Sequence, residues 1–299
     1  MKRFSFFLLA AGIIAASLSL NSCQKDNLQV ANPSNPNVSA GDRAPLIYGV
    51  SVFSAGNPSQ LFTLDLGTGA IQGSVQVFFN NSTGQQIFVD DLKGVCVVGG
   101  QVWVTTGFNV VDAYSNLLLK VDPTTGQGGI ISHSTVGTVS DIDYDENSNT
   151  VYGLLNNGNR LVTINDNSNN WGTYVVQGNI TNLGANYVAK GLSMARDGGG
   201  VRIIVAATQA NAGNANVYSV PATAGAANLL STINPANQLA TGHCGIGFEI
   251  DINAMLINRR ANAGFGINSF AWANPLANPT ASAFWGGNGV NFEDLSSRL

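Results

Sequence analysis

Four-residue apolar stretches return along this chain at a nearly constant interval, each followed by a polar loop. The most regular are "IYGV" from Ile47, "VWVT" from Val102, "VYGL" from Val151, "IIVA" from Ile203 and "MLIN" from Met255. Their intervals are 55, 49, 52 and 52 residues, a mean of 52. Ahead of four of them lies a second apolar segment ("DLKGVCVVGG", "SDIDYDENSN", "KGLSMARDGG", "CGIGFEIDIN") ending in the Gly, Asp or Asn turn of a hairpin. After the loop come a third strand and usually a fourth, such as "GSVQVFF" or "GGIISH". Four short strands in about 50 residues is the arithmetic of a β-propeller blade, a unit unable to bury its apolar face alone.

The pattern therefore predicts an all-β chain with a single propeller over residues 44–299. At 52 residues per unit, that span makes five four-stranded blades, with six as the alternative. The first unit lacks its leading strand, because the chain before Ile47 is polar. The final "NFEDLSSRL" from Asn291 matches the leading segments, so the C-terminal strand is expected to complete the N-terminal blade and remove a sheet edge.

The third strands form the most self-similar set: "LFTLDLGTGA" at 61–70, "LLKVDPTTGQ" at 118–127, and more loosely "LVTINDNSNN" at 161–170 and "VYSVPATAGA" at 217–226. Asp65 and Asp122 can accept hydrogen bonds from the turn backbone, and Gly69 and Gly126 can supply positive φ. These turns resemble the "LxxLDxxTG" of YVTN-type and quinoprotein-type propeller repeats. Quinoprotein blades carry a docking tryptophan four residues beyond that glycine. Here those places are Gly73 and Ile130, so the resemblance implies the architecture and no quinone.

Upstream of the repeats the chain changes character. Lys2 and Arg3 precede an apolar run from Phe4 to Leu20, followed by "LNSC", and residues 1–22 read as a signal peptide. The last four residues of this stretch resemble the lipobox of bacterial lipoproteins, which implies a lipid on Cys23 and a membrane partner reached through it. Residues 23–43 then form the lipidated cysteine and a polar, proline-bearing flexible tether. No aspartate adjoins the cysteine, and Lys25-Asp26 resembles the short charged signal of surface-exposed lipoproteins in Bacteroidota. The localisation implied is the outer membrane, with exposure at the cell surface as its extension.

Composition narrows the function classes. Charged residues are 10% of the chain, against about 25% in an average domain, and the formal net charge is −4. Thirteen Lys and Arg spread over 299 residues provide no basic footprint for nucleic acid. Polarity comes instead from Asn, Ser, Thr, Gln and 35 glycines, a surface suited to neutral hydrogen-bonding ligands. Of three cysteines, Cys96 and Cys244 are expected as buried thiols, a disulfide being the alternative.

Candidate chemistry gathers where the chain enters each inner strand. Alignment puts Asp91, Asp141, Gly191, Gly245 and Asp294 at one level, preceded by Asp90, Ser140, Lys190, Cys244 and Glu293. Carboxylates converging on a channel axis have three readings. They can cap neighbouring backbone N–H groups; Asp91, Asp141 and Asp294 can hold Ca²⁺; or Asp91, Asp141 and Glu293 can act as the acid pair of a glycoside hydrolase. No other cofactor is indicated. Loops expected at 105–116, 207–216 and 258–268 add ligand-binding candidates in Phe108, Tyr114, Arg259, Arg260, Phe265, Trp272 and Trp285. The role this favours is a lipid-anchored envelope binding protein for a glycan or a protein partner. A carbohydrate-active enzyme at the channel mouth and a structural subunit of a surface complex are the alternatives.

Overall fold

Turns and β-branched runs account for the elements. The computed structural model describes residues 46–51, 58–65, 68–107, 109, 114–155, 159–165, 172–197, 200–209, 215–233, 246–249, 254–261, 264–271, 280–285, 290 and 292–298. Cys23 and the tether lie outside these residues. All described residues belong to one unit, Arg43–Leu299, and all regular structure among them is β.

The first sheet contains β1 (Leu46–Ser51), β2 (Leu61–Asp65) and β3 (Ile71–Val75). A short hairpin follows, β4 (Phe78–Asn80) and β5 (Gln86–Phe88). The second sheet holds β6 (Leu92–Val98), β7 (Gln101–Thr106), β8 (Leu117–Val121) and β9 (Gln127–His133). The third is β10 (Val139–Asp145), β11 (Thr150–Leu155), β12 (Arg160–Asn165) and β13 (Thr173–Thr181). The fourth comprises β14 (Tyr187–Asp197), β15 (Gly200–Gln209), β16 (Ala215–Pro221) and, after the two-residue β17 (Gly225–Ala226), β18 (Asn228–Ile233). Each is an antiparallel meander, and the strands β6, β10 and β14 pack side by side, as propeller blades do.

A further sheet, β19 (Ile246–Glu249), β20 (Ala254–Ala261), β21 (Gly264–Ala271) and β22 (Thr280–Trp285), is described in its backbone, with Leu256 as its one described buried side chain. The last strand, β23 (Phe292–Arg298), joins the first sheet. It runs antiparallel to β1, from Leu46 opposite Arg298 to Ser51 opposite Phe292. Phe292 stands edge-on to Phe62 at 5.4 Å, and Leu295, Ile47, Leu64 and Leu256 complete that cluster. The C-terminal strand thus supplies the inner strand that the N-terminal sheet lacks.

The repeated turns fold as their residues dictate. Thr68 N–H donates to Asp65 Oδ1 and Thr124 N–H to Asp122 Oδ1, each at 2.8 Å. Gly69 and Gly126 take φ of 67° and 77°. In the fourth copy the aligned Gly225 has φ of 114°, and Ala224 one place earlier also takes a positive φ, 64°.

One fourth strand differs from expectation. "GSVQVFF" is not continuous: it leaves the first sheet after Val75 and re-forms as β4, parallel to β9 of the second. Val77 and Phe79 are buried there with Val89 and Leu117, so apolar burial on the second sheet outweighs two further ladder pairs on the first. In the same way β17 runs parallel to the edge of β13. Both additions cover edges that would otherwise be open.

The crossing passes directly over the Gly126 turn: Phe78 N–H donates to Gly126 O at 2.9 Å, and a Cβ on Gly126 would lie 2.2 Å from Gln76 O. Gly126→Ala is therefore expected to lower stability by about 2 kcal/mol or more, strain and backbone collision together. Gly84→Ala, at φ 80° with no atom within 4 Å of its Cβ, should cost only the strain of about 1–2 kcal/mol. Urea unfolding midpoints of the two variants test the difference.

Candidate functional site: the inner-strand carboxylates

Inner strands pose a polar problem. The axial edge of each has no further strand to pair with, yet its N–H groups are removed from water. The aligned aspartates meet that need. Asp294 Oδ2, on β23, accepts from Val95 N–H of β6 at 2.7 Å, while Oδ1 accepts from Leu295 N–H at 2.7 Å. Asp141 Oδ2, on β10, accepts from Leu192 N–H of β14 at 2.9 Å. Two residues further along β10, on the same face, Asp143 Oδ2 accepts from Met194 N–H at 2.8 Å and from the Ser193 hydroxyl at 3.3 Å.

Between the second and third sheets a threonine does the equivalent. Gly94 N–H donates to Thr105 Oγ1 at 2.8 Å, and the Thr105 hydroxyl donates to Val139 O at 2.9 Å. Gly94 permits the approach, since a Cβ there would meet Thr105 Oγ1 at 2.8 Å and Ile142 N at 2.9 Å. Asp91, at the aligned place on the second sheet, turns instead to Lys93, whose Nζ lies 3.0 Å from Asp91 Oδ1 and 3.5 Å from Glu293 Oε1.

Of the predicted carboxylates, Asp141 and Asp294 come together, both with no exposed surface. Asp91 does not join them; it forms a separate cluster with Lys93 and Glu293. Among the described residues no three His, Cys, Asp or Glu side chains are grouped as metal ligands, so the proposed calcium set of Asp91, Asp141 and Asp294 is not assembled there. The acid set of Asp91, Asp141 and Glu293 is divided likewise, with Asp141 held in the interior by Leu192. Sequence reasoning missed Lys93, Asp143 and Thr105. The first two sit two residues beyond an aligned aspartate and were legible from period two; Thr105 carried no signal.

Burial governs the electrostatics. Desolvation first, then the neighbouring Asp294 carboxyl, pushes Asp141 well above the carboxylate range. Asp294 is raised by burial as well, against the lowering effect of its N–H donors. Burial lifts Asp143 to about 6 in spite of its hydrogen bonds. Cys96, a buried free thiol, is raised by burial and then by the fields of Asp143, Asp294 and Asp141. Lys93 loses to desolvation but gains more from Glu293 and Asp91, and its pKa rises.

The predicted ligand surface is placed in part. Tyr114 packs edge-on against Phe79, ring centroids 5.2 Å apart, at the margin of the core. Phe108 and Trp272, like Cys244, lie outside the described residues. Arg259 and Arg260 belong to β20, Phe265 to β21 and Trp285 to β22, so they are strand residues and not members of a long loop; their side chains are outside the description. Thr105, Ala207, Asn216 and Ile267, also read as loop, lie in strands too. Polar composition suggested loops there, but pairs such as Ala207 with Asn216 and Arg260 with Phe265 continue the ladders.

No protein-family model and no curated protein matches the chain. Among solved structures it is similar to a chain of a nidogen/laminin complex, with a TM-score of 0.50 and 10% identity over 85% of this chain and 98% of that one. It also resembles a putative 6-phosphogluconolactonase from Bacteroides fragilis (TM-score 0.46, 9% identity, 82% and 83% covered). A third similar structure is the β-propeller domain of Cps50 (Swd1) from Myceliophteria thermophila (TM-score 0.38, 11% identity, 79% and 71% covered). At such identities the likeness concerns the fold alone, and the fold is that of a β-propeller.

Thr105→Val should cost about 1–3 kcal/mol, because it strands the Gly94 N–H without an acceptor in a buried place. Thr105→Ser keeps both bonds and should lose less. Urea unfolding of the pair checks this.

Proposed function

We propose that this chain is a lipid-anchored binding module of the cell envelope. In this reading Cys23 carries the lipid, residues 24–43 are the tether, and residues 44–299 form a five-bladed propeller that offers its loops to a glycan or an envelope protein. The observation that supports it best is the employment of the axial carboxylates. Asp141, Asp143 and Asp294 are spent on backbone N–H groups of neighbouring sheets, which leaves ligand contact to the loops. Five blades are supported by β19, which packs between β14 and β23 and so continues the ring.

A second reading, a carbohydrate-active site, draws on the Asp91–Lys93–Glu293 cluster, where two carboxylates of different sheets flank one ammonium. Retaining hydrolysis needs two carboxyls about 5–5.5 Å apart with one protonated. Lys93 already pairs with both carboxylates, which weighs against that chemistry.

Three outcomes are expected. Expressed in a bacterium with the lipoprotein pathway, the protein should partition into detergent and Cys23→Ala into the aqueous phase; equal partition would remove the anchor. In thermal unfolding against a panel of polysaccharide fragments, a ligand at 100 times its Kd adds about 2.7 kcal/mol and raises the midpoint. Asp91→Asn and Glu293→Gln should leave that shift intact, whereas loss of glycan cleavage in either would favour the enzyme.

A further inference from the structure

Asp141 and Asp294 come from sheets that are not neighbours, β10 of the third and β23 of the first, yet their carboxyls meet in the interior. Their donors are unequal. Asp294 has an N–H on each oxygen, from Val95 and Leu295. Asp141 has one, from Leu192, and among the described residues no donor reaches its fully buried Oδ1. Two adjacent carboxylates without a cation cannot both stay charged in such a place. We infer that a single proton held on Asp141 Oδ1 and donated to Asp294 joins the first and third sheets, making the ring a pH-responsive joint that is tight when protonated.

The surrounding groups fit a proton better than a cation. On β10 itself Asp143 adds negative field, with Asp145 beyond it. From β6 the Cys96 thiol faces the pair, and Lys93 is engaged by Asp91 and Glu293 at the next level. On β14 the nearest partners are the Leu192 N–H and Ser193, with Lys190 half-buried at the strand's start. Glu293 precedes Asp294 on β23 and faces Lys93; β1 and β11 offer only Tyr48 and Tyr152, β7 carries no ionisable group, and β19 contributes Glu249, whose side chain is outside the description. A proton turns the unpartnered Oδ1 into a donor to Asp294, and it leaves the three Asp–amide bonds in place.

The sign follows from linkage. A carboxyl that keeps its proton in the folded state contributes fully below the unfolded value near 3.8 and loses that contribution as pH rises through the folded value. Asp143 acts the same way up to about 6. Above that range, from about pH 6.5 to 8, the folding equilibrium constant of the whole protein should fall by up to tenfold per pH unit for the one shared proton. Asp141→Asn keeps the geometry, with its amide NH₂ donating to Asp294, and should flatten this dependence and equal or exceed wild type at pH 8. Asp294→Asn turns an NH₂ toward either Val95 N–H or Leu295 N–H and should be the weaker fold of the two.

Urea unfolding across that pH range reads these slopes. Infrared spectroscopy of the wild type at pH 7, which needs no variant to fold, should show the C=O stretch of a buried protonated carboxyl. Absence of that band overturns the inference, as does an unchanged slope in Asp141→Asn. So does a rise in the pH 8 midpoint with added Ca²⁺ that Asp141→Asn abolishes, since a cation would then hold the place of the proton.

Discussion

Sheets in a propeller share little backbone ladder, here the short β4–β9 and β13–β17 pairs at outer edges, so the ring rests largely on what passes between inner strands. In this protein the connection is mostly a side-chain oxygen on one sheet accepting from a backbone N–H of another: Asp294 from Val95, Asp141 from Leu192 and Asp143 from Met194, while Thr105 accepts from Gly94 of its own sheet and donates across to Val139 O. Apolar packing alone would hold the sheets together, but it would leave the axial N–H groups unsatisfied at a cost of about 1–3 kcal/mol each. A carboxylate acceptor makes a stronger bond than a neutral one, at the expense of its own desolvation. That balance explains why the acids cluster near the axis and why their pKa values move upward.

The same arrangement limits what the described interior can do. Carboxylates that serve as backbone acceptors are poorly placed to bind a metal or to move protons on a substrate. Lys93, which pairs with both Asp91 and Glu293, engages a further two carboxylates. With 10% charged residues in the chain, little ionic character remains to attract charged partners from solution.

Much of the fold was legible before any coordinates. The Asp-x-x-x-Gly turns at 65–69 and 122–126 encode their own geometry through local hydrogen bonds and positive φ, and strand spacing follows from the period of 52 residues. The matching of "NFEDLSSRL" to the leading segments rested on the same periodicity, and β23 does lie against β1. Less was legible about the site. Alignment put Asp91, Asp141 and Asp294 at equivalent positions, but equivalence in sequence does not say which neighbour a side chain reaches; Lys93 at i+2 drew Asp91 away. Thr105 and the split of "GSVQVFF" depend on contacts more than 30 residues distant, Val139 and the Gly126 turn among them, for which a linear pattern has no signal.

Local chemistry thus sufficed for what is set within a few residues, the turns and the strand alternation, and the recurrence of those patterns carried the repeat length. Folding in three dimensions settled what depends on neighbours from other sheets. It brought Asp141 and Asp294 into one buried pair, gave Asp91 and Glu293 a common ammonium, and turned residues read as loop into paired strands. The reason is one of range. A hydrogen bond across a turn is written in adjacent residues, whereas the desolvation and charge that a carboxyl experiences are properties of the whole packed interior.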